Sequence, residues 1–339
     1  MIADALKLSV YFGEAFVPAD DALMRCFEGH GVRCAALMRG IEGFGINRRI
    51  HAERFPDSST DLPLLAWAVD TEARIRGLLG DVDRIVPRGL VTLERARLAT
   101  GGDVARVEFP GGVGKAAKLT IYCASRAPYR EAVSLLREEG ASGAIVLPGV
   151  DGLVDGRRRR ARLFGVNGGT PMVIISVGPV EPLLRALRRL GDVLPGPTVT
   201  VERIAQVKHD GELLEEPLTA DGPDVWQTIR IYTRRAAQVN GRALYSEVTR
   251  ALRLGGGAGA TTILGDWGFS SDEPPHGDRF GRITSHRPTY TVYIDRPRQV
   301  AQLWPVIDAL TAEHGIVTSL LVPGYRERAG TRVNGTLEW

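Results

Sequence analysis

The chain has 339 residues, 44% hydrophobic and 24% charged, with a formal net charge of +3. This composition fits a globular protein with sizeable cores, and so small a charge excess gives no argument for nucleic acid by itself. Cys26, Cys34 and Cys123 form no pattern, which excludes a disulfide scaffold and predicts small core residues in a reducing compartment.

In chain order, the first strand is "KLSVYFG", beginning at Lys7. A helix follows, with Leu23 and Phe27 on one face and a stop at Gly29, and then a second strand through "AALMRG". Next comes a long polar stretch containing Arg48, Arg49 and His51, then a strand led by Pro63 in "DLPLLAWAVD", and later the strand "LVTLER". The same order returns with "KLTIYCA" at Lys118, a helix bearing Val133 and Leu136, "AIVLPG", "GTPMVIISVG", a helix bearing Leu183, Leu187 and Leu190, and "TVTVER". It returns again with "TIRIYTR" at Thr228, a helix bearing Leu244, Val248 and Leu252, "TTILG", "HRPTYTVYID", a helix from Val300 to Leu310, and "IVTSLL". Pro305 predicts a kink or early stop in that last helix.

Tyr11, Tyr122 and Tyr232 recur at a spacing of about 110 residues. Pro63, Pro171 and Pro288 align behind them, as do Thr92, Thr200 and Thr318. Three landmarks in one order make the chain three copies of one unit. Each copy reads β-α-β-β-α-β, the ferredoxin-like arrangement, so the fold class is α+β with three tandem ferredoxin-like domains. We place the copies at residues 1–105, 115–207 and 225–325, with a linker at 208–224 and a C-terminal tail at 326–339. Strands two and three of such a unit need only roughly two to five residues between them. Here they are separated by the stretches from Gly43 to Pro63, Gly152 to Pro171 and Gly268 to Pro288, lengths that suit functional loops.

The ordered combination of "KLSVYFGE", "RGIEGFG", Arg48, Arg49, His51, "DLPLLAWAVD" and "GLVTLE" resembles the PII-like family catalogued as domain of unknown function 190. Copy three adds "GRALYSEV" and "GAGATTILGDWGF" to the resemblance. PII-type proteins are trimers that bind adenine nucleotides between subunits and use a long loop, the T-loop, to control a partner protein. The resemblance therefore implies an intramolecular PII-like pseudo-trimer. It further implies a nucleotide-responsive regulator without catalysis, whose partner is a protein such as a transporter or an enzyme.

Tyr, Gly and Pro match in all copies and read as fold positions, whereas the chemistry varies: Arg39 is replaced by Pro148 and Leu264. Arg39, Gly40, Glu42, Gly43 and Phe44 of copy one are therefore the expected nucleotide site, with Arg84 and Arg88 as phosphate contacts. Arg48, Arg49, His51, Arg158, Arg159, Arg160, Trp267, His276 and Arg279 are the expected partner or anion contacts of the loops, against the plainer reading of charge runs as solvated surface. No cofactor beyond an adenine-nucleotide effector is expected. The histidines show no metal-ligand spacing with one another or with cysteine in this reading, so no metal is assigned. "GGVGKAAK" lacks the Walker pattern, with Phe109 and Ala116 at its required positions. The alternatives are a small-ligand or metal-binding trimer-like protein of the same fold, or an RNA-binding protein, although the RNA-stacking motif is missing. Met1 to Lys7 carries no apolar leader pattern and runs such as Met172 to Val177 are too short to span a bilayer, so a cytoplasmic, non-membrane protein is expected.

Overall fold

The computed structural model describes residues 1–13, 19–53, 61–112, 114–124, 127–161, 169–220, 222, 224–270, 275, 277 and 286–338. Repeat one comprises β1 (Ile2–Gly13), α1 (Ala19–Gly29), β2 (Cys34–Phe44), β3 (Pro63–Thr71), α2 (Glu72–Ile85) and β4 (Arg88–Thr100). Repeat two comprises β5 (Ala116–Ala124), α3 (Tyr129–Glu138), β6 (Gly143–Pro148), β7 (Asp151–Val154), β8 (Arg157–Arg160), β9 (Pro171–Pro179), α4 (Val180–Val193) and β10 (Thr198–His209). Repeat three comprises β11 (Trp226–Arg234), α5 (Leu244–Leu254), β12 (Ala260–Leu264), β13 (Trp267–Ser270), β14 (Pro288–Asp295), α6 (Pro297–Leu310) and β15 (Ile316–Val322). A closing hairpin, β16 (Gly324–Ala329) and β17 (Arg332–Asn334), follows.

The helices are amphipathic. α4 buries Leu183, Ala186, Leu187 and Leu190, three or four residues apart, against its sheet. The first strand of each repeat is buried on both faces, since helices cover one side and the other repeats cover the opposite one; β5 is buried from Ala116 to Cys123. Each repeat thus owns a core beneath its helices, and a fourth core is shared by all three around Trp67, Tyr122, Tyr232 and Tyr290.

Strand pairing carries the main correction to the sequence reading. In repeat one the antiparallel order is β4-β1-β3-β2, and repeats two and three repeat it as β10-β5-β9-β6 and β15-β11-β14-β12. The edges do not stop there. β2 continues onto β12, β15 onto β10, and β10 onto β4. The strands β4-β1-β3-β2-β12-β14-β11-β15-β10 therefore close on themselves as a nine-stranded antiparallel barrel. The molecule is mostly β, and the expected α+β fold of three separate ferredoxin-like domains forming a pseudo-trimer is overturned by this continuous ladder. The physical reason is that an exposed edge leaves backbone N–H and C=O groups unpaired, and these edges are satisfied by pairing across the repeat boundaries.

The repeated glycines and prolines have a packing cause. A Cβ on Gly40, Gly149 or Gly265 would lie 2.7, 2.8 or 2.8 Å from Cγ of Pro63, Pro171 or Pro288, so strand two and the proline that opens strand three touch in every repeat. The second glycine of each set meets a neighbouring repeat: a Cβ on Gly43, Gly152 or Gly268 would lie 2.6, 2.1 or 2.4 Å from the carbonyl oxygen of Ala260, Ala35 or Ala144. Only glycine lets these backbones approach so closely.

Smaller expectations also change. α1 ends at Gly29 as expected, but the left-handed residue lies beyond it at Gly31; after α5 it is Gly256, and after α3 it is Gly140. Pro305 lies inside a helix continuous from Pro297 to Leu310. The segment read as a linker begins inside a strand, since Lys208 and His209 end β10, and β16 of the C-terminal region pairs with β4.

At the centre sits a buried ion network. Glu94 lies 3.6 Å from Lys7 and 3.4 Å from Lys118 and binds Arg230, while Lys118 reaches Glu202 at 2.6 Å. The Lys7 ammonium also lies 4.1 Å above the Trp67 ring.

Candidate functional site: a cleft between repeats one and three

A cleft of about 380 Å³ opens where the end of β2 leaves repeat one and lies on β12 of repeat three. Its floor is apolar, made by Tyr11, Phe44, Val292, Ile294 and Tyr325. Four of these, Phe44, Val292, Ile294 and Tyr325, are almost fully buried. Its walls are glycine backbone at Gly13, Gly43, Gly45, Gly89 and Gly259. Gly89 is required: at φ +155°, a Cβ there would lie 2.4 Å from the Tyr11 carbonyl oxygen. The mouth carries Arg49, His51, Asp61, Arg88 and Glu327. His51 and Asp61 are 3.9 Å apart. Burial raises the Glu327 carboxyl above its ordinary range, opposed by a hydrogen bond with Asn334 and by the charge of Arg332. Burial likewise holds the Tyr11 hydroxyl well above its usual value, so it is a neutral phenol.

Among the described residues, no side-chain hydrogen bond or ion pair engages Arg49 or Arg88, and both are exposed. Two guanidinium groups at the mouth of an apolar, glycine-walled cleft can hold a ligand with one planar apolar part and one anionic part.

The other repeats have counterparts. A cleft of about 500 Å³ beside β5 is lined by Tyr122, Asp155, Arg157 and Arg159 with the Leu194–Pro197 turn. Between repeats two and three, Tyr232, Gly268 and Phe269 line a remnant of about 20 Å³. Ile316 seals the latter: a Cβ on Gly143 would lie 2.5 Å from its Cδ1. Three related positions have thus become an apolar cleft with a cationic mouth, a polar cleft and a filled gap.

The structure sorts the expected site residues. Gly43, Phe44 and Arg88 line the repeat one cleft, joined by Arg49 and His51 from the set assigned to the loops. Arg39, Gly40, Glu42 and Arg84 do not line it. Arg39 is an exposed position of β2 opposite Leu64. Gly40 packs on Pro63, and Glu42 is buried and accepts a hydrogen bond from Ser246 Oγ at 3.0 Å. Arg84 pairs with Asp81 at the end of α2. Arg48 takes φ 52° and donates to the Gly256 carbonyl at 2.9 Å.

The arginine run of repeat two is a strand, β8, so alternate side chains face opposite ways. Arg158 donates to both Asp151 (2.6 Å) and Asp21 of α1 (2.6 Å), and Arg160 reaches the same acids at 3.7 and 3.4 Å. These two arginines therefore fasten repeat two to repeat one, while Arg157 and Arg159 face the polar cleft. Trp267 lies opposite Val146 under the Arg130 guanidinium, 4.5 Å from its ring, as part of the seam between repeats three and two. His276 and Arg279 lie outside the described residues.

Sequence reading missed Tyr325 and Glu327, because they sit beyond the third copy's last recognised strand. The alternation in "GYRERA" was the available signal. It also missed that Cys26 and His30 stand four residues apart at the end of α1.

The profile of the DUF190 family, described as "Uncharacterized ACR", matches residues 5–98, 116–206 and 226–323. The chain therefore belongs to this PII-like family, three times over. A UPF0166 protein of Aquifex aeolicus (strain VF5) is 29% identical over 79 residues, covering 23% of this chain and 81% of that relative. The relative thus has about the length of one repeat. At family level the match supports a PII-like regulatory protein, and the family is generally non-catalytic. Among the described residues, no helix is long and apolar enough to cross a membrane.

Proposed function

We propose that this chain is a nucleotide-responsive PII-like regulator that holds an adenine nucleotide in the cleft between repeats one and three. The observation that carries this reading is the pairing of an apolar floor with two unengaged guanidinium groups at one mouth. The base lies against Phe44 and Tyr325, and the phosphates meet Arg49 and Arg88. Glycine walls let a flat base approach backbone on both sides. The polypeptide between β2 and β3, whose described residues Gly45, Ile46, Asn47, Arg49, His51 and Asp61 border the cleft, is the segment that meets a partner protein and reports whether the cleft is filled. The filled gap between repeats two and three takes no ligand, so the three positions act unequally.

The test is calorimetric titration of the whole chain with adenosine mono-, di-, tri- and cyclic nucleotides. An arginine–phosphate contact contributes about 1.5–3 kcal/mol, so Arg88→Ala and Arg49→Ala should each weaken binding roughly tenfold or more. Arg158→Ala removes a contact between repeats and should leave nucleotide affinity unchanged in whatever fraction stays folded. Binding that survives both cleft substitutions overturns the assignment of the cleft, and no binding of any nucleotide overturns the reading.

A further inference from the structure

On the face of repeat one away from the barrel, α1 and α2 bring together three side chains that the regulatory reading does not use. Cys26 lies in the last turn of α1, and His30 follows the helix, its backbone N–H donating to the Cys26 carbonyl at 3.0 Å. Gly31 then turns left-handed, with φ 65°, and Val32 N–H returns to the Phe27 carbonyl at 2.9 Å. This closed cap fixes the backbone of His30 relative to Cys26. Asp81 approaches from α2, with Oδ2 2.8 Å from His30 Nε2. The thiol sulfur, an imidazole nitrogen and a carboxylate oxygen all lie within 4.8 Å of one another.

We propose that Cys26, His30 and Asp81 form a site for a borderline-soft divalent cation of the zinc type, with water in the fourth position. The donor set is mixed sulfur, nitrogen and oxygen, which suits zinc and disfavours magnesium or calcium. All three residues are half-buried, so the site is reachable from solvent while the helix seam restricts its geometry. In a tetrahedral shell, ligands about 2.0–2.3 Å from the metal sit closer together than 4.8 Å, and side-chain rotation alone draws them in. Binding requires the thiol proton to leave for solvent, the thiolate and imidazole then each giving one electron pair to the metal. Metal binding therefore competes with protons and strengthens as pH rises. Arg84, paired with Asp81, is the built-in competitor.

The remaining cysteines make the test clean. Cys34 and Cys123 are buried, with thiols raised to about 12, so a thiol reagent acting on the native chain reads Cys26. The whole chain, stripped with chelator and desalted, is titrated with zinc alone while Cys26 alkylation and bound zinc are followed. One zinc per chain should bind, and alkylation should slow about tenfold or more. His30→Gln should abolish both effects. Arg84→Ala, an exposed change, should tighten zinc binding by a few-fold by freeing Asp81. Alkylation unaffected by zinc, protection that persists in His30→Gln, or zinc binding that weakens in Arg84→Ala each overturns the proposal.

Discussion

At the scale of single residues, the central ion network makes a pH prediction. Among the described residues, the acids beside Lys7, Lys118 and Arg230 are Glu94 and Glu202, all five almost fully buried, so three basic groups share two carboxyl groups. Desolvation by burial is the main reason Lys7 falls to about 7 from 10.5, with Glu94 opposing it and Lys118 adding to the fall. A base whose folded value lies below its unfolded value burdens the fold while it is protonated. That burden is fully present below about 7 and is relieved as pH rises from there towards 10.5. Relative to Lys7→Met, the native chain should therefore gain stability across this window, read as a rising urea midpoint. Midpoints of the two proteins that run parallel with pH would show that Lys7 does not titrate there. None of this was legible beforehand, because "KLSVYFG" reads as an ordinary strand and nothing in it marks its lysine as buried. Burial on both faces comes from partners about 110 and 220 residues away, and no local pattern marks it.

At the scale of elements, the end of the second strand in repeat one, and the short strand that follows the second strand in repeats two and three, are given to a neighbour. Phe44 packs among Ile229, Leu244 and Val248 in the core of repeat three. Leu153 packs in the core of repeat one, and Phe269 in the core of repeat two. Each follows the glycine that admits the neighbour's backbone, so one short motif both opens the path and seats the knob. Truncating such a residue leaves a cavity that the surrounding barrel cannot collapse. Phe44→Ala should cost about 3–5 kcal/mol and Leu153→Ala about 2–5 kcal/mol in urea unfolding. A loss under about 1 kcal/mol would mean that these ends only rest on the surface. Strands and helices were readable in order because their periods are local. The destination of Phe44 was not, because "RGIEGFG" shows glycines suited to close approach without showing what approaches. The run "RRRR" hid a strand for a different reason: its charges are satisfied by Asp21 and Asp151, acids that sequence reading had no cause to place beside it.

At the scale of the whole molecule, the barrel closes only when repeat three supplies β12, β14, β11 and β15. A chain ending before residue 225 keeps two repeats but leaves β2, β10 and the Phe44 side chain without their partners. We expect it to lose the single cooperative transition of the full chain and to expose apolar surface, seen as dye binding and association. A two-repeat chain that unfolds cooperatively as a monomer would show that closure is dispensable. The repeat count was plain from tyrosine, proline and threonine landmarks. Closure was not, since it depends on which edges meet.

The direction in which strand ends are given has a consequence for birth on the ribosome. Repeat two gives Leu153 to repeat one, and repeat three gives Phe269 to repeat two, each to a neighbour already made. Repeat one alone gives forward, to a repeat not yet synthesised. The first segment to emerge is thus the last to be seated. The cleft at Gly43 and Phe44 comes into being only once the final strands arrive. An unfinished chain therefore lacks this cleft, and the ligand proposed for it would report only on completed molecules.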